Sequence, residues 1–160
     1  MIQDFDAQAF RQVMGQFATG ITVITTVDDD GNLYGMTANS FTSVSLDPPL
    51  LLVCVGRELD FARVITSASH FGVNILAAGQ EDLSRRFATR SIDKFAGLSY
   101  RPGRSGVPLL AGTLGHIECA RYELLPGGDH VIVVGRIEHL EYRGGEPLVY
   151  FGSRYRWLQP

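Results

Sequence analysis

Residues 35–55 read GMTANSFTSVSLDPPLLLVCV, setting Thr37, Asn39, Ser40, Thr42, Ser43 and Ser45 directly against a continuous apolar run. An extended segment with small side chains offers its backbone N–H and C=O groups at close approach, and an apolar strand beside it makes a wall for a ring face. That combination suits a flat, partly polar heterocycle with hydrogen-bonding groups along one edge. Without such a ligand, the same letters describe a Ser/Thr-rich edge strand and turn. Other chemistries lack their residues. No nucleophile triad or carboxylate pair is visible, so no catalytic side chain is assigned, and neither GxGxxG nor a Walker phosphate loop occurs. Cys54 and Cys119 lack metal-type spacing and sit among apolar residues, so they read as buried free thiols, and no metal site is expected. His70, His116 and His139 read as structural.

The elements that must hold this segment follow from periodicity. Asp6 is placed to cap a helix whose Phe10, Val13, Met14 and Phe17 share one face, ending near Thr19 and Gly20. ITVITTV (21–27), the turn letters DDDGN (28–32) and LYGMTAN predict a hairpin. Pro48 and Pro49 cannot donate to a ladder and therefore mark the entry to a strand over 50–55. A helix over 58–69, a short buried strand over 70–76 and a helix over 80–89 with acids at its start come next. Residues 90–108 hold Gly97, Gly103, Gly106 and two prolines, and so irregular a stretch predicts an active-site flap. Strands over 116–125, 130–142 and 147–152 complete the chain, joined by PGGD and RGGE. Six or seven antiparallel strands with inserted helices and no regular βαβ alternation predict a mainly β fold, a closed or split β-barrel, as one domain over 1–160.

Composition removes other classes. With 160 residues, 45% of them hydrophobic, the chain can bury a sizeable core. Its longest uncharged apolar run, 48–55, falls far short of the roughly 18 residues of a membrane span. MIQDFDAQAF carries acids where a signal peptide has bases, which predicts a cytoplasmic protein with no membrane partner. A net charge of −3, with no basic run interleaved with aromatics, leaves nucleic acid without a footprint.

Six pieces then resemble one family in order: FATGITVITT (17–26), residues 35–55, FGVNIL (71–76), SRRFA (84–88), GVPLL (106–110) and GDHVIVVGRI (128–137). The chain resembles the short-chain flavin reductases that supply reduced flavin to two-component monooxygenases, and the GDH triplet after an ARY-type strand is the most telling mark. The resemblance implies an FMN-binding split barrel of Greek-key type, usually a homodimer, that reduces FMN or FAD with NADH or NADPH. It places Met36, Thr37, Ala38, Asn39 and Ser40 on the polar edge of the flavin, with Ser43 and Val44 closing the same loop and Cys54 and Val55 ending the adjacent strand. Arg86 matches the family arginine near the flavin phosphate, with Arg85 as its competitor. His130, Gly152, Ser153, Arg154 and Tyr155 fall on the nicotinamide side. One departure is GRELDFA, which puts Leu59, Asp60 and Phe61 where many relatives carry phosphate-holding Ser/Thr, and Asp60 repels a phosphate.

The chemistry so implied is hydride transfer from nicotinamide C4 to flavin N5. It asks the protein to stack two rings and to stabilise charge on the flavin's N1–C2=O2 edge. Two alternatives use the same barrel: a flavin-binding electron-transfer or storage protein without NAD(P)H turnover, and an oxidase of a small amine or pyridoxal-type substrate.

Overall fold

The computed structural model describes residues 5–90 and 93–158. In chain order its elements are α1 (Ala7–Met14), β1 (Thr19–Gly20), β2 (Thr22–Val27), β3 (Leu33–Ala38), β4 (Phe41–Leu46), β5 (Pro49–Gly56), α2 (Asp60–Ser67) and β6 (His70–Ile75). They continue with α3 (Glu81–Ala88), β7 (Tyr100–Pro102), β8 (Pro108–Leu110), β9 (Gly115–Gly127), β10 (His130–Tyr142), β11 (Val149–Phe151) and β12 (Arg154–Arg156).

Seven strands form one antiparallel sheet in the order β3-β2-β6-β9-β10-β5-β4. Its two edge strands, β3 and β4, are consecutive in the chain and joined only by Asn39 and Ser40. Two residues cannot span a flat seven-stranded sheet, so the sheet curls until its edges meet, and no ladder joins them there. That geometry is a split barrel. The connection from β5 to β6 passes over the β9–β10 pair and carries α2, which gives the order its Greek-key character.

Alternation fills the barrel. Met36 and Ala38 of β3, Leu51, Val53 and Val55 of β5, Phe71 and Val73 of β6, and Val131 and Val133 of β10 share one buried cluster. α2 closes one end by adding Phe61, Ala62 and Ile65. A second cluster under α3 gathers Val23, Leu76, Phe87, Phe95, Leu110 and Leu148. Gly35 lets these layers meet, because a Cβ there would lie 2.4 Å from Phe87 Cε1.

Several boundaries differ from the sequence expectation. α1 stops at Met14, where the Gly15 N–H bonds to the Arg11 carbonyl, and Thr19–Gly20 pairs with β11 instead of ending the helix. β11 turns through Gly152 and Ser153 (φ 58° and 60°) into β12, which periodicity did not reveal. RGGE joins no hairpin, since β11 pairs with β1 and β12 and not with β10. The expected flap, of which Ser91 and Ile92 lie outside the described residues, is the β7–β8 hairpin strapped to the barrel. Glu118 accepts from the Arg104 and Ser105 N–H groups (3.1 and 2.8 Å) and from the Ser105 hydroxyl (2.6 Å), and Arg101 pairs with Glu141. Cys119 is buried as expected, whereas Cys54 is only half-buried.

Candidate functional site

The polar segment of the sequence lies along the split. As edge strands, β3 and β4 each keep one row of backbone N–H and C=O groups outside the sheet's ladders. Ser40 fixes the link between them: its hydroxyl donates to the Cys54 carbonyl (2.9 Å), and the Cys54 N–H donates to the Ser40 carbonyl (3.2 Å). Met36, Ala38 and Val55 point into the core, so they can offer a ligand only backbone. Thr37 is half-buried, Asn39 and Ser43 are exposed, and Val44 is the exposed residue of a register shift against β5. Burial pushes the Cys54 thiol up from its ordinary pKa.

On the Thr37 side, three segments converge. The Thr37 hydroxyl donates to the Ser84 carbonyl (2.6 Å), and the buried Ser84 hydroxyl bonds to the Tyr155 hydroxyl (2.9 Å). The Arg85 guanidinium stands 4.7 Å from the centre of the Tyr155 ring and pairs with Glu81 (2.6 Å). Arg86 gives an N–H to the Ala96 carbonyl and so faces the 93–98 loop. Gly152 and Ser153 make the turn that returns the chain to Tyr155, and the Gly152 N–H bonds to the Gly15 carbonyl (2.8 Å). Arg154 is exposed beside it.

On the Ser40 side, β5 leads to His130. Cys54 is in register with Ile132 and Gly56 with His130, so the histidine lies two residues along from the Ser40 clamp. His130 Nδ1 bonds to Asp129 Oδ1 at 2.7 Å. A carboxylate can only accept, so Nδ1 donates and Nε2 remains for a ligand. The same bond holds the Asp129 carboxyl below its ordinary value. Arg57 Nε fastens this tip to β5 through the Gly128 and His130 carbonyls (3.1 and 3.0 Å). No hydrogen bond among the described residues joins His130 to the 152–155 turn. Leu59 begins α2 without a side-chain cap, Phe61 is buried and Asp60 is exposed, so this corner holds no hydroxyl for a phosphate.

Reading the sequence alone missed Ser84. Its only signal was its place beside the apolar Leu83 and Phe87 on an otherwise polar helix, and its partner Tyr155 is distant in the chain.

The signature of the flavin reductase like domain matches residues 14–159. The chain belongs to this family. Among its flavin reductase relatives, the reductase subunit of a flavin-dependent monooxygenase from Mycobacterium tuberculosis is 39% identical over 163 residues, covering 100% of this chain and 87% of the relative. An NADH-dependent FAD reductase of Streptomyces globisporus is 40% identical over 166 residues, 100% of this chain and 90% of the relative. The solved NADH:FAD oxidoreductase of Streptomyces globisporus C-1027, in complex with NAD and FAD fragments, superposes with a TM-score of 0.93 at 41% identity, covering 100% of this chain and 97% of that one. The chain spans about half the length of another relative, from Rhizobium meliloti (44% identity over 151 residues; 94% of this chain, 49% of the relative).

Proposed function

We propose that this chain is an NAD(P)H:flavin oxidoreductase that reduces FMN or FAD and passes the reduced flavin to a partner monooxygenase, working as a single-domain cytoplasmic homodimer. The observation that carries the reading is the split: two strand edges with free ladder groups, joined by residues 39–40 and flanked by Tyr155 on one side and His130 on the other. Relatives named as an NADH-dependent FAD reductase and as monooxygenase reductase subunits support it.

The residues present fit a flavin. Its pyrimidine edge alternates acceptors with a donor, and a free strand edge alternates N–H with C=O. Bound flavin supplies the acceptor for a hydride from the nicotinamide. The Thr37–Asn39 backbone holds that ring edge and places N–H dipoles where negative charge develops. Because Thr37 is tied to Ser84 and Ser40 to Cys54, these dipoles need no reorganisation. His130, with Nδ1 engaged by Asp129, presents Nε2 to orient the nicotinamide. The phosphate falls to Arg85 or Arg86 on the Thr37 side, both already engaged, by Glu81 and by the Ala96 carbonyl respectively, a shared grip that suits a flavin that must leave. Phe10, Val13, Met14 and Phe17 at α1 are 51%, 69%, 54% and 74% exposed, an apolar stripe that a second copy covers. Among the described residues, no helix is long and apolar enough to cross a membrane.

Steady-state NAD(P)H oxidation with FMN, FAD and riboflavin added in turn tests the proposal. Flavin-dependent oxidation is expected; tight flavin binding with no NAD(P)H consumption would instead make the chain a passive carrier.

A further inference from the structure

The chain's only lysine, Lys94, stands half-buried at the free edge of β3. Its Nζ donates to the Gly35 carbonyl (3.1 Å) and to the Phe87 carbonyl in the last turn of α3 (3.0 Å). The Ile21 carbonyl, just before β2, accepts from the Leu76 N–H, just after β6 (3.0 Å). Odd-numbered residues over 21–27 therefore turn their backbone groups toward β6 and even-numbered ones toward β3. The even-numbered residues pair with Tyr34, Met36 and Ala38, which leaves the N–H and C=O groups of Gly35 and Thr37 on the free row. Lys94 thus occupies the place next to Thr37 on that row, roughly 6–7 Å along the strand. An ammonium has three N–H donors, and among the described residues the third finds no partner and no carboxylate pairs with the charge. Burial pushes its pKa below the ordinary value. A half-buried cation with a spare donor and no counter-ion suits an anion that arrives at the open strand edge.

We infer that the Lys94 ammonium stabilises the negative charge that the flavin's N1–C2=O2 edge gains on reduction, so that the split holds reduced flavin more tightly than oxidised. The inference rests on the reductase reading, which lays that edge along Thr37–Asn39. A hydride brings the ring two electrons and one proton and leaves the nicotinamide as a cation, so the ring gains one negative charge. The Thr37 N–H meets that charge as a dipole, and Lys94 adds a full charge one step along the row. A neutral ring edge gains little from an ammonium at this distance, whereas an anionic one gains the charge–charge attraction, so the effect falls on the reduced state.

The test uses the full chain with two variants: Lys94→Gln keeps a hydrogen-bond donor and removes the charge, and Lys94→Arg keeps the charge. Circular dichroism verifies folding. Dissociation constants are measured anaerobically for FMN and for riboflavin, each oxidised and dithionite-reduced. The unmodified chain is expected to bind both reduced flavins about tenfold more tightly than the oxidised ones. Lys94→Gln is expected to lose most of that preference with its affinity for oxidised flavin unchanged, and Lys94→Arg to retain it. Equal weakening of both oxidation states by Lys94→Gln would make the lysine a brace between β3 and α3. An effect seen with FMN and absent with riboflavin would assign the charge to the phosphate. Either result overturns the inference, as does equal affinity for both states in the unmodified chain, a measurement that stands even if Lys94→Gln does not fold. Dithionite supplies the electrons, so the outcome does not depend on NAD(P)H. A chain that discriminates through Lys94 yet oxidises no NAD(P)H with any flavin overturns the proposed function and leaves the inference standing.

Discussion

Ser84 shows how much one small side chain can join: its carbonyl holds Thr37 of the split, and its hydroxyl holds Tyr155 of the last hairpin. Ser84→Ala removes only the second bond and is expected to cost about 1 kcal/mol in urea unfolding. Tyr155→Phe is expected to cost less in that background than alone, because the two changes remove one interaction. For His130→Ala, the expectation is a KM for NAD(P)H raised about three- to tenfold with an unchanged flavin dissociation constant, since the proposed function puts the flavin edge on residues 36–40 and not on His130. Equal saturation curves in stopped flow would make His130 structural. At this scale the sequence named Thr37, Ser40 and His130 because each sits inside a local motif. It could not show that Met36, Ala38 and Val55 face the core, nor that Ser84 meets Tyr155, since both facts depend on pairings far apart in the chain.

Among the elements, the β7–β8 hairpin depends most on charge. Burial raises the Glu118 carboxyl, yet the Ser105 and Arg104 donors outweigh it and leave the group below its ordinary value of 4.5. The Glu141 carboxyl, hydrogen-bonded by Arg143 and His116, is lowered to about 2. Groups depressed by folding stabilise the fold above their unfolded pKa and lose that contribution as pH falls through the folded one. Both straps are therefore fully present above about pH 4.5, and Glu141's is lost as pH drops toward 2. Protection of the amides of residues 100–110, taken relative to the intrinsic exchange rate at each pH, should fall on acidification through this window, and Glu118→Gln should show the weaker protection already at neutral pH; protection independent of pH in the unmodified chain would contradict the strap. α3 is equally sensitive to its seat on β3. Gly35→Ala places a Cβ 2.4 Å from Phe87 Cε1, and overpacking of this kind costs about 1–3 kcal/mol, seen as a lower Tm. Helices and central strands were legible from periodicity. β7, β8 and β12 were not, because three-residue strands carry no period.

At the scale of the whole molecule, the barrel follows from one topological fact: a seven-stranded sheet whose edges are joined by two residues. Counting strands in the sequence anticipated six of the seven and their antiparallel character; β4 was not counted, and the strand expected over 147–152 lies in the three-stranded sheet with β1 and β12. Their order was hidden, because β2–β6 and β6–β9 pairing spans tens of residues and leaves no local trace. Sedimentation is expected to show a dimer that Val13→Glu with Phe17→Glu converts to monomer without unfolding, since both residues are exposed in the isolated chain. The proposed function requires the split to present a flavin to a nicotinamide. Anaerobic mixing of protein and flavin with NADH carrying deuterium at C4 tests it most directly. The account predicts loss of the flavin's visible absorbance, one NADH consumed per flavin reduced, and a slower reduction than with unlabelled NADH. A flavin that binds the chain and keeps its absorbance in the presence of excess NADH contradicts it.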